Sequence, residues 1–304
     1  MHPYTNEIFA KSLFHIGEAL FVPAWKTHIL KRAILIDGDI VGYDATGVYP
    51  ITIFDPSIDI KKGLEFLRDA GLVSVILVLD DFHRPDMEVL GVQFSLCKKL
   101  KTHFVFYPSQ GQMAYDKHHR YELRQAQKTV RAEVIGLAQH MDSWLSLYAT
   151  LTDRHHLSHT HAFPVEHFKA LAEMTNVVTF GAWVDDRLVS CHIWVESDGK
   201  AHSHLAASNE EGYASRAAYA LNALALTHFE NCSVVNFGGG AGFNDENSGL
   251  SKFKKGFSNA EANAIICGEI LDKHRYNDLK ISNMGDVETN FFPAYRAPKN
   301  GDKK

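Results

Sequence analysis

Apolar and polar positions alternate most clearly in the second half of the chain. Residues 177–184, 188–196 and 201–207 are apolar-rich runs of strand length, separated by Asp185-Asp186 and by Asp198-Gly199. Tight polar turns between such runs predict three antiparallel strands in a meander. Ser208, with Glu211 three residues on, has capping-box spacing and predicts an alanine-rich helix over 214–229. A further apolar run at 233–237 stops at Gly238-Gly239-Gly240, where only glycine lets the backbone turn freely or approach a ligand closely. Ahead of the meander, Lys117, Arg120, Arg124, Lys128 and Arg131 advance by three or four residues, while Leu123, Ala126 and Val130 turn elsewhere. That spacing predicts a helix from about Lys117 with one basic face, continuing through 134–151, and Pro164 opens a shorter helix reaching Glu173.

The first half carries a weaker pattern. Residues 33–40 predict a short strand, 43–54 a loop and second strand broken at Pro50, 60–70 a helix, 73–79 a buried strand, and 103–107 a strand closed by Pro108. The polar stretch 109–113 is the expected boundary between two halves. A final strand is expected over 262–271, and 297–304 reads as a fraying end.

With 304 residues and 45% hydrophobic content, the chain can bury a full globular core. A net charge of −5 excludes a protein that coats nucleic acid or membrane by charge alone, and leaves room for a local basic site. Cys97, Cys191, Cys232 and Cys267 stand singly, which suggests neither a zinc knuckle nor a disulfide framework and fits a reducing compartment. Glu7, Lys11 and Glu18 interrupt the apolar residues of the N-terminus, and no uncharged apolar run is long enough to cross a bilayer, so a cytoplasmic protein is expected. His155, His156, His159 and His161 cluster, yet no carboxylate or cysteine lies at matched spacing, so no metal is expected there.

Beyond the glycine run, Gly249-Leu250-Ser251-Lys252-Phe253-Lys254-Lys255-Gly256-Phe257 interleaves cations with two aromatic anchors. No Gly-Lys-Ser/Thr closes the glycine run, which excludes a P-loop. The strand ending in three glycines, followed by Gly-Leu-x-x-Phe-Lys-x-Gly-Phe, resembles the FemAB-like branch of the GNAT superfamily of N-acyltransferases. His119, Arg120, Arg124 and Ala126 match that family's HRxxxRxA-like segment. The resemblance is clearest from about Tyr115 onward. It implies an α/β tandem GNAT-like fold with mixed, mostly antiparallel sheets flanked by helices, residues 1–114 being a degenerate first half and 115–304 the acyltransferase half. It also implies a C-terminal packing segment at 290–296.

GNAT enzymes splay two neighbouring strands, here 201–207 and 233–237, so that exposed backbone groups grip an acyl donor. The resemblance places Lys254 near the acyl-transfer centre, as a cation for an oxyanion or a phosphate, with Phe253 walling out water. His202 and His204 share one side of their strand, and either could accept the amine's proton. Gly238, Gly239, Gly240, Lys252, Lys255, Gly212 and Tyr213 are the remaining expected donor contacts. Arg120, Arg124, Arg154, His192 and Trp194 are expected acceptor contacts. The family's pyrophosphate loop is replaced by Asn209-Glu210-Glu211-Gly212-Tyr213-Ala214, whose acids oppose a phosphate. The reading is an N-acyltransferase moving an acyl group from acyl-CoA, a co-substrate and not a bound cofactor, to an amine acceptor. Aminoacyl-tRNA is the alternative donor, and a non-catalytic GNAT-fold binding module is the alternative from another class.

Overall fold

The structure is a computed structural model that describes residues 2–55, 57–156, 162–240, 248–284 and 289–298. In chain order its elements are α1 (Glu7–Ser12), β1 (Glu18–Val22), β2 (Thr27–Ile36), β3 (Asp39–Gly47), α2 (Ile60–Asp69), β4 (Ser74–Asp80), α3 (Met87–Gln93) and β5 (Leu96–Phe106). They continue with α4 (Lys117–Ala126), β6 (Arg131–Ile135), α5 (Met141–His155), α6 (Val165–Ala172), β7 (Val177–Val184), β8 (Arg187–Ser197) and β9 (Lys200–Ser208). The chain closes with α7 (Glu210–Ala214), α8 (Ala217–His228), β10 (Val234–Asn236), α9 (Gly249–Lys255), β11 (Ala260–Ile270) and α10 (Lys273–Met284).

Packing divides the chain into two units, Tyr4–Leu100 with Ala264–Lys304, and Met1–Pro3 with Lys101–Asn263. This differs from the expected halves at 1–114 and 115–304, because the residues after Ala264 pack with the N-terminal part. In the N-terminal unit, β1, β2 and β3 pair antiparallel, β3 then pairs parallel with β4, and β4 pairs antiparallel with β11. In the central unit, β6 to β9 pair antiparallel, β9 pairs parallel with β10, and β10 pairs antiparallel with β5. The same motif thus occurs twice: an antiparallel meander, a helical crossover to a parallel strand, and a closing antiparallel strand. The crossover is α2 in one unit and α7 with α8 in the other, as a parallel strand pair requires. This repetition is invisible residue by residue and explicit in the pairing.

The N-terminal core gathers Trp25, Ile29, Phe54, Leu64, Leu67, Leu77 and Leu79 between α2 and the sheet. Its C-terminal segment is anchored by charge. Asp44, wholly buried, accepts from Arg32 Nε at 3.0 Å, Arg296 Nε at 2.6 Å and the Tyr295 hydroxyl at 3.1 Å. Residues 290–296 are therefore a packing segment, as the family likeness implies. Ala297 is still buried; the tail from 299 lies outside the described residues.

In the central unit, α8 covers one face of the sheet with Leu221 and with Ala217, Ala220 and Ala225, the alanines being small enough for close approach to β7 and β8. Phe106, Trp194, Phe229, Phe237 and Phe257 fill the space between. The opposite face carries α5, packed on β8 and β9. Trp144 and Tyr148 of that helix meet Phe168 of α6 at ring distances of 5.3 and 4.8 Å.

Three expectations from the sequence fail locally. The expected strand at 33–40 is the tip of a hairpin, since Asp37 and Gly38 both take positive φ (52° and 93°) between β2 and β3. Asp-Gly is the dipeptide that such a two-residue turn demands. The expected long helix from Lys117 ends at Ala126, because β-branched Val134 and Ile135 belong to β6, hydrogen-bonded to β7. The basic stripe is therefore split, with Arg131 on the strand over the Trp183 ring at 5.3 Å. The expected helix at 214–229 is broken by Arg216, which has φ 63° and caps α8, and the cap of α7 is Asn209 and not Ser208.

Candidate functional site

The site begins where two parallel strands part. β9 and β10 pair only from Val234↔Lys200 to Asn236↔His202. Beyond that point the Phe104 N–H donates to the Gly238 carbonyl at 3.0 Å, so the end of β10 follows β5. β9 follows β8 instead, to Ser190↔Ser208. Among the described residues no strand pairs with the other edge of 203–208. A bulge assists the parting: Ile193 faces Leu205 and Trp194 faces Ser203, which leaves His204 as the extra residue. An inserted residue bends its strand away from a neighbour. The splayed pair expected from the sequence is thus present.

The glycine run turns at the mouth of this opening. Gly238 has φ +73°, a left-handed conformation that side chains other than glycine rarely adopt. Gly239 approaches β5 so closely that a Cβ would lie 2.6 Å from the Thr102 carbonyl oxygen. Lys254 reaches this turn from α9 and donates from Nζ to the Gly239 carbonyl at 2.7 Å. Part of its stem is exposed, but the ammonium end is enclosed. Burial first, and repulsion from Lys101 second, lower its pKa from 10.5 to about 7. The stem of Lys101 runs along the same turn, its Cδ and Cε 3.0 and 3.3 Å from where a Cβ on Gly239 would stand. Sequence reasoning missed Lys101. Its signal was faint, one of three lysines, with Lys98 and Lys99, inside the segment that becomes β5.

Phe253 faces an aromatic cluster, with its ring 4.9 Å from Tyr219 and 5.3 Å from Phe257. His119 ties this cluster to the helix before it: its Nε2 lies 3.0 Å from the Phe253 carbonyl oxygen and its Nδ1 3.1 Å from an Asp116 carboxylate oxygen. The matched HRxxxRxA-like segment thus holds α9 in place through its histidine. Arg120 and Arg124 are exposed. Lys252 and Lys255 are exposed as well, and Lys255 lies 3.3 Å from Glu261.

The histidines divide between the two faces of the sheet. His192 points toward α8, where Asn222 hydrogen-bonds it. Burial chiefly, and the nearby Lys254 charge in addition, lower its pKa to about 4 against the effect of Asn222. His202 and His204 face the opposite side, so they share a face as expected but do not share it with His192. The Gly238 N–H donates to Asn236 Oδ1 at 2.8 Å, which orients the Asn236 amide. Asn236 Nδ2 then points at Nδ1 of His103 (3.2 Å) and of His202 (3.4 Å). Since an amide nitrogen only donates, both rings accept at Nδ1 and carry their proton on Nε2. His204 lies 3.4 Å from His167, Nε2 to Nε2, and burial lowers its pKa to about 3.

Trp194 is wholly buried against Phe237 and Phe229, at ring distances of 5.3 and 5.5 Å, and packs the core. Gly212 lies against β8, where a Cβ would meet the Val189 carbonyl oxygen at 2.2 Å. Glu211 pairs with Arg187 at 2.6 Å, so one of the two acids expected to oppose a phosphate is neutralised. Tyr213 is half exposed beneath the Arg154 guanidinium, 4.3 Å from the ring centroid. An expected donor contact and an expected acceptor contact therefore meet there. Of the clustered histidines, His155 and His156 are exposed at the end of α5, while His159 and His161 lie outside the described residues. No helix among the described residues is long and apolar enough to cross a membrane.

Residues 114–250 match the family model described as Acetyltransferase (GNAT) domain. No curated protein matches the chain. Among solved structures, a DUF2156 domain from Agrobacterium fabrum, assigned as the C-terminal domain of a lysylphosphatidylglycerol synthetase, superposes with a TM-score of 0.60. It is 14% identical, over 85% of this chain and 87% of that one. FemX superposes at 0.59 with 13% identity, over 91% and 95%. L-PGS from Bacillus licheniformis also superposes at 0.59, with 12% identity over 92% and 93%. Residues 114–250 thus match a GNAT domain, and the chain shares the fold of FemX, of L-PGS and of the DUF2156 domain, with the strand splay, the triple-glycine turn and Lys254 set within it.

Proposed function

We propose that the protein is an N-acyltransferase that moves an acyl group from a coenzyme A thioester to the amine of an amino acid, peptide or related precursor. The observation that carries this reading is the splay after Asn236 and His202, with the Lys254 ammonium held at the turn beside it. Attack of an amine on a thioester carbonyl places negative charge on one oxygen before the thiolate leaves. Preorganised backbone donors and one enclosed cation stabilise such charge without reorganising at the moment of reaction. Backbone groups along 203–208 orient the donor, and Lys254 faces its negative charge. Tyr213 and Arg154 border the acceptor side. Atoms balance simply: the N–C bond forms, the C–S bond breaks, and the amine's proton leaves with base or solvent.

A second reading, an aminoacyl ester of tRNA as donor, is favoured by one feature. The segment that binds pyrophosphate in coenzyme A-dependent relatives is here a capped helical turn, α7, with Gly212 closed against Val189. Purified protein supplied with an amine acceptor and either acyl-CoA or charged tRNA, with ribonuclease controls, separates the two by mass spectrometry of the product. Ribonuclease-insensitive transfer from acyl-CoA is expected. Transfer abolished by ribonuclease, and absent with every acyl-CoA, overturns the donor. No acylated product from any donor overturns acyl transfer in favour of a binding module of the same fold.

A further inference from the structure

Two lysines converge on one short turn, and among the described residues no acid balances them. Lys254 Nζ lies 3.5 Å from where a Cβ on Gly238 would be, and the end of the Lys101 stem reaches within 3.3 Å of the same point on Gly239. The two side chains therefore end at consecutive residues, one arriving from α9 and the other from β5. Among the described residues neither lysine is in an ion pair with a carboxylate. Among the described residues, the titratable groups that face Lys254 are Lys101 and the buried imidazole of His192 on β8. Lys252 and Lys255 of its own helix are exposed.

Such an arrangement is unfavourable for the protein alone. Two like charges repel, and each loses solvation in an enclosed place. Burial lowers the pKa of both lysines, and Lys101 lowers that of Lys254 further. Neither lysine is required by the fold in the way that Gly239 is, since a lysine stem with a neutral end packs equally well. A group of opposite charge lying between the two would replace their mutual repulsion with attraction to a shared partner and offset the lost solvation.

We propose that Lys101 and Lys254 form a two-cation clamp over the Gly238–Gly239 turn and that the clamp takes a phosphate group. Phosphate fits because its oxygens can accept from both ammonium groups at once, and because it is dianionic or nearly so where a carboxylate carries a single charge. The turn is glycine where the ligand would approach, so no side chain blocks it. Resting on the acyltransferase reading, the clamp assigns Lys101 as a binding residue for the donor, which brings phosphates in either form: coenzyme A or the tRNA backbone.

The test uses full-length protein with isotopically labelled lysine side chains, the Lys101 and Lys254 signals being assigned with Lys101→Met and Lys254→Met. Inorganic phosphate should shift both signals and raise the Lys254 titration midpoint. Lys101→Met should raise that midpoint without phosphate, by removing the repulsion, and weaken phosphate about tenfold, as expected for losing one charge-assisted contact. Lys101→Arg should restore binding, which a merely structural role for Lys101 does not require. Phosphate that leaves both signals unmoved, or a Lys101→Met protein with unchanged midpoint and affinity, overturns the clamp. Coenzyme A or tRNA displacing the phosphate identifies its source; displacement by neither overturns the assignment to the donor. The outcome is separable from that of the acyltransferase reading. Phosphate held by both lysines in a protein that makes no product sinks the activity alone, and acyl transfer with no phosphate at the lysines sinks the clamp alone.

Discussion

The side-chain amide of Asn236 donates to Nδ1 of His202 at 3.4 Å, at the last residue pair before β9 and β10 part. This bond fixes the ring's tautomer and occupies the lone pair that a proton acceptor would need. His204 on the same face has a pKa lowered to about 3 by burial. It is neutral throughout the physiological range but only weakly basic. His202→Asn and His204→Asn should therefore change kcat/KM without moving its apparent pKa values between about pH 5 and 8. Disappearance of an acidic limb in either variant would restore that histidine as the proton acceptor. Stability gives a separate sign. As pH falls below about 6.5, the unfolded chain protonates a histidine that the folded one leaves neutral, so stability declines, and His204→Asn should flatten that decline.

Lys254 sets function against stability. Its folded pKa of about 7 lies below its usual 10.5. Between these values the unfolded chain binds the extra proton, so stability rises with pH across that window, and the full cost of the buried charge is felt below about pH 7. Lys254→Met should raise Tm most near pH 6 and progressively less toward pH 10, while lowering kcat/KM by about two to three orders of magnitude. Thermal unfolding across pH, beside steady-state kinetics, checks both halves. A variant that is less stable at pH 6 yet fully active would remove Lys254 from the site.

In the N-terminal unit, Asp44 carries the C-terminal segment. It accepts from Arg32, Arg296 and Tyr295, and its side chain has no exposed surface. Removing the carboxylate leaves two guanidinium groups facing each other, so Asp44→Ala should cost about 3–5 kcal/mol. Arg296→Ala should cost less, because Arg32 still neutralises the acid. Denaturant unfolding of both variants measures the order, and equal or reversed losses would show that packing at Tyr295 holds the segment instead.

Much of the central unit was legible in the sequence. The meander over β7, β8 and β9, the strand β10 and its triple-glycine stop follow from alternation and turn residues that act within a few positions. The 249–257 motif pointed to Lys254 for the same reason, since motif and helix occupy one short segment. The long helix from Lys117 was misjudged because a basic face with helical spacing continues into residues whose β-branched side chains find strand partners only in the folded chain. The break at Arg216 was equally hidden, its strained φ being held by contacts that include Glu122, 94 positions away.

Only the tertiary structure decided which groups meet. Strand parity placed His202 and His204 together, but not the fact that their face is opposite to that of His192, because the bulge at His204 and the side taken by α8 depend on packing. Lys101 lies 153 positions before Lys254, and nothing local marks it out. Pairing β10 with β5 brings the two lysines to one turn. The chain's amino-acid order determined the strands, the glycine stop and the match of 114–250 to a GNAT domain. Which cation stands beside Lys254 was decided by long-range strand pairing, since charge acts through space and sequence patterns act through neighbours.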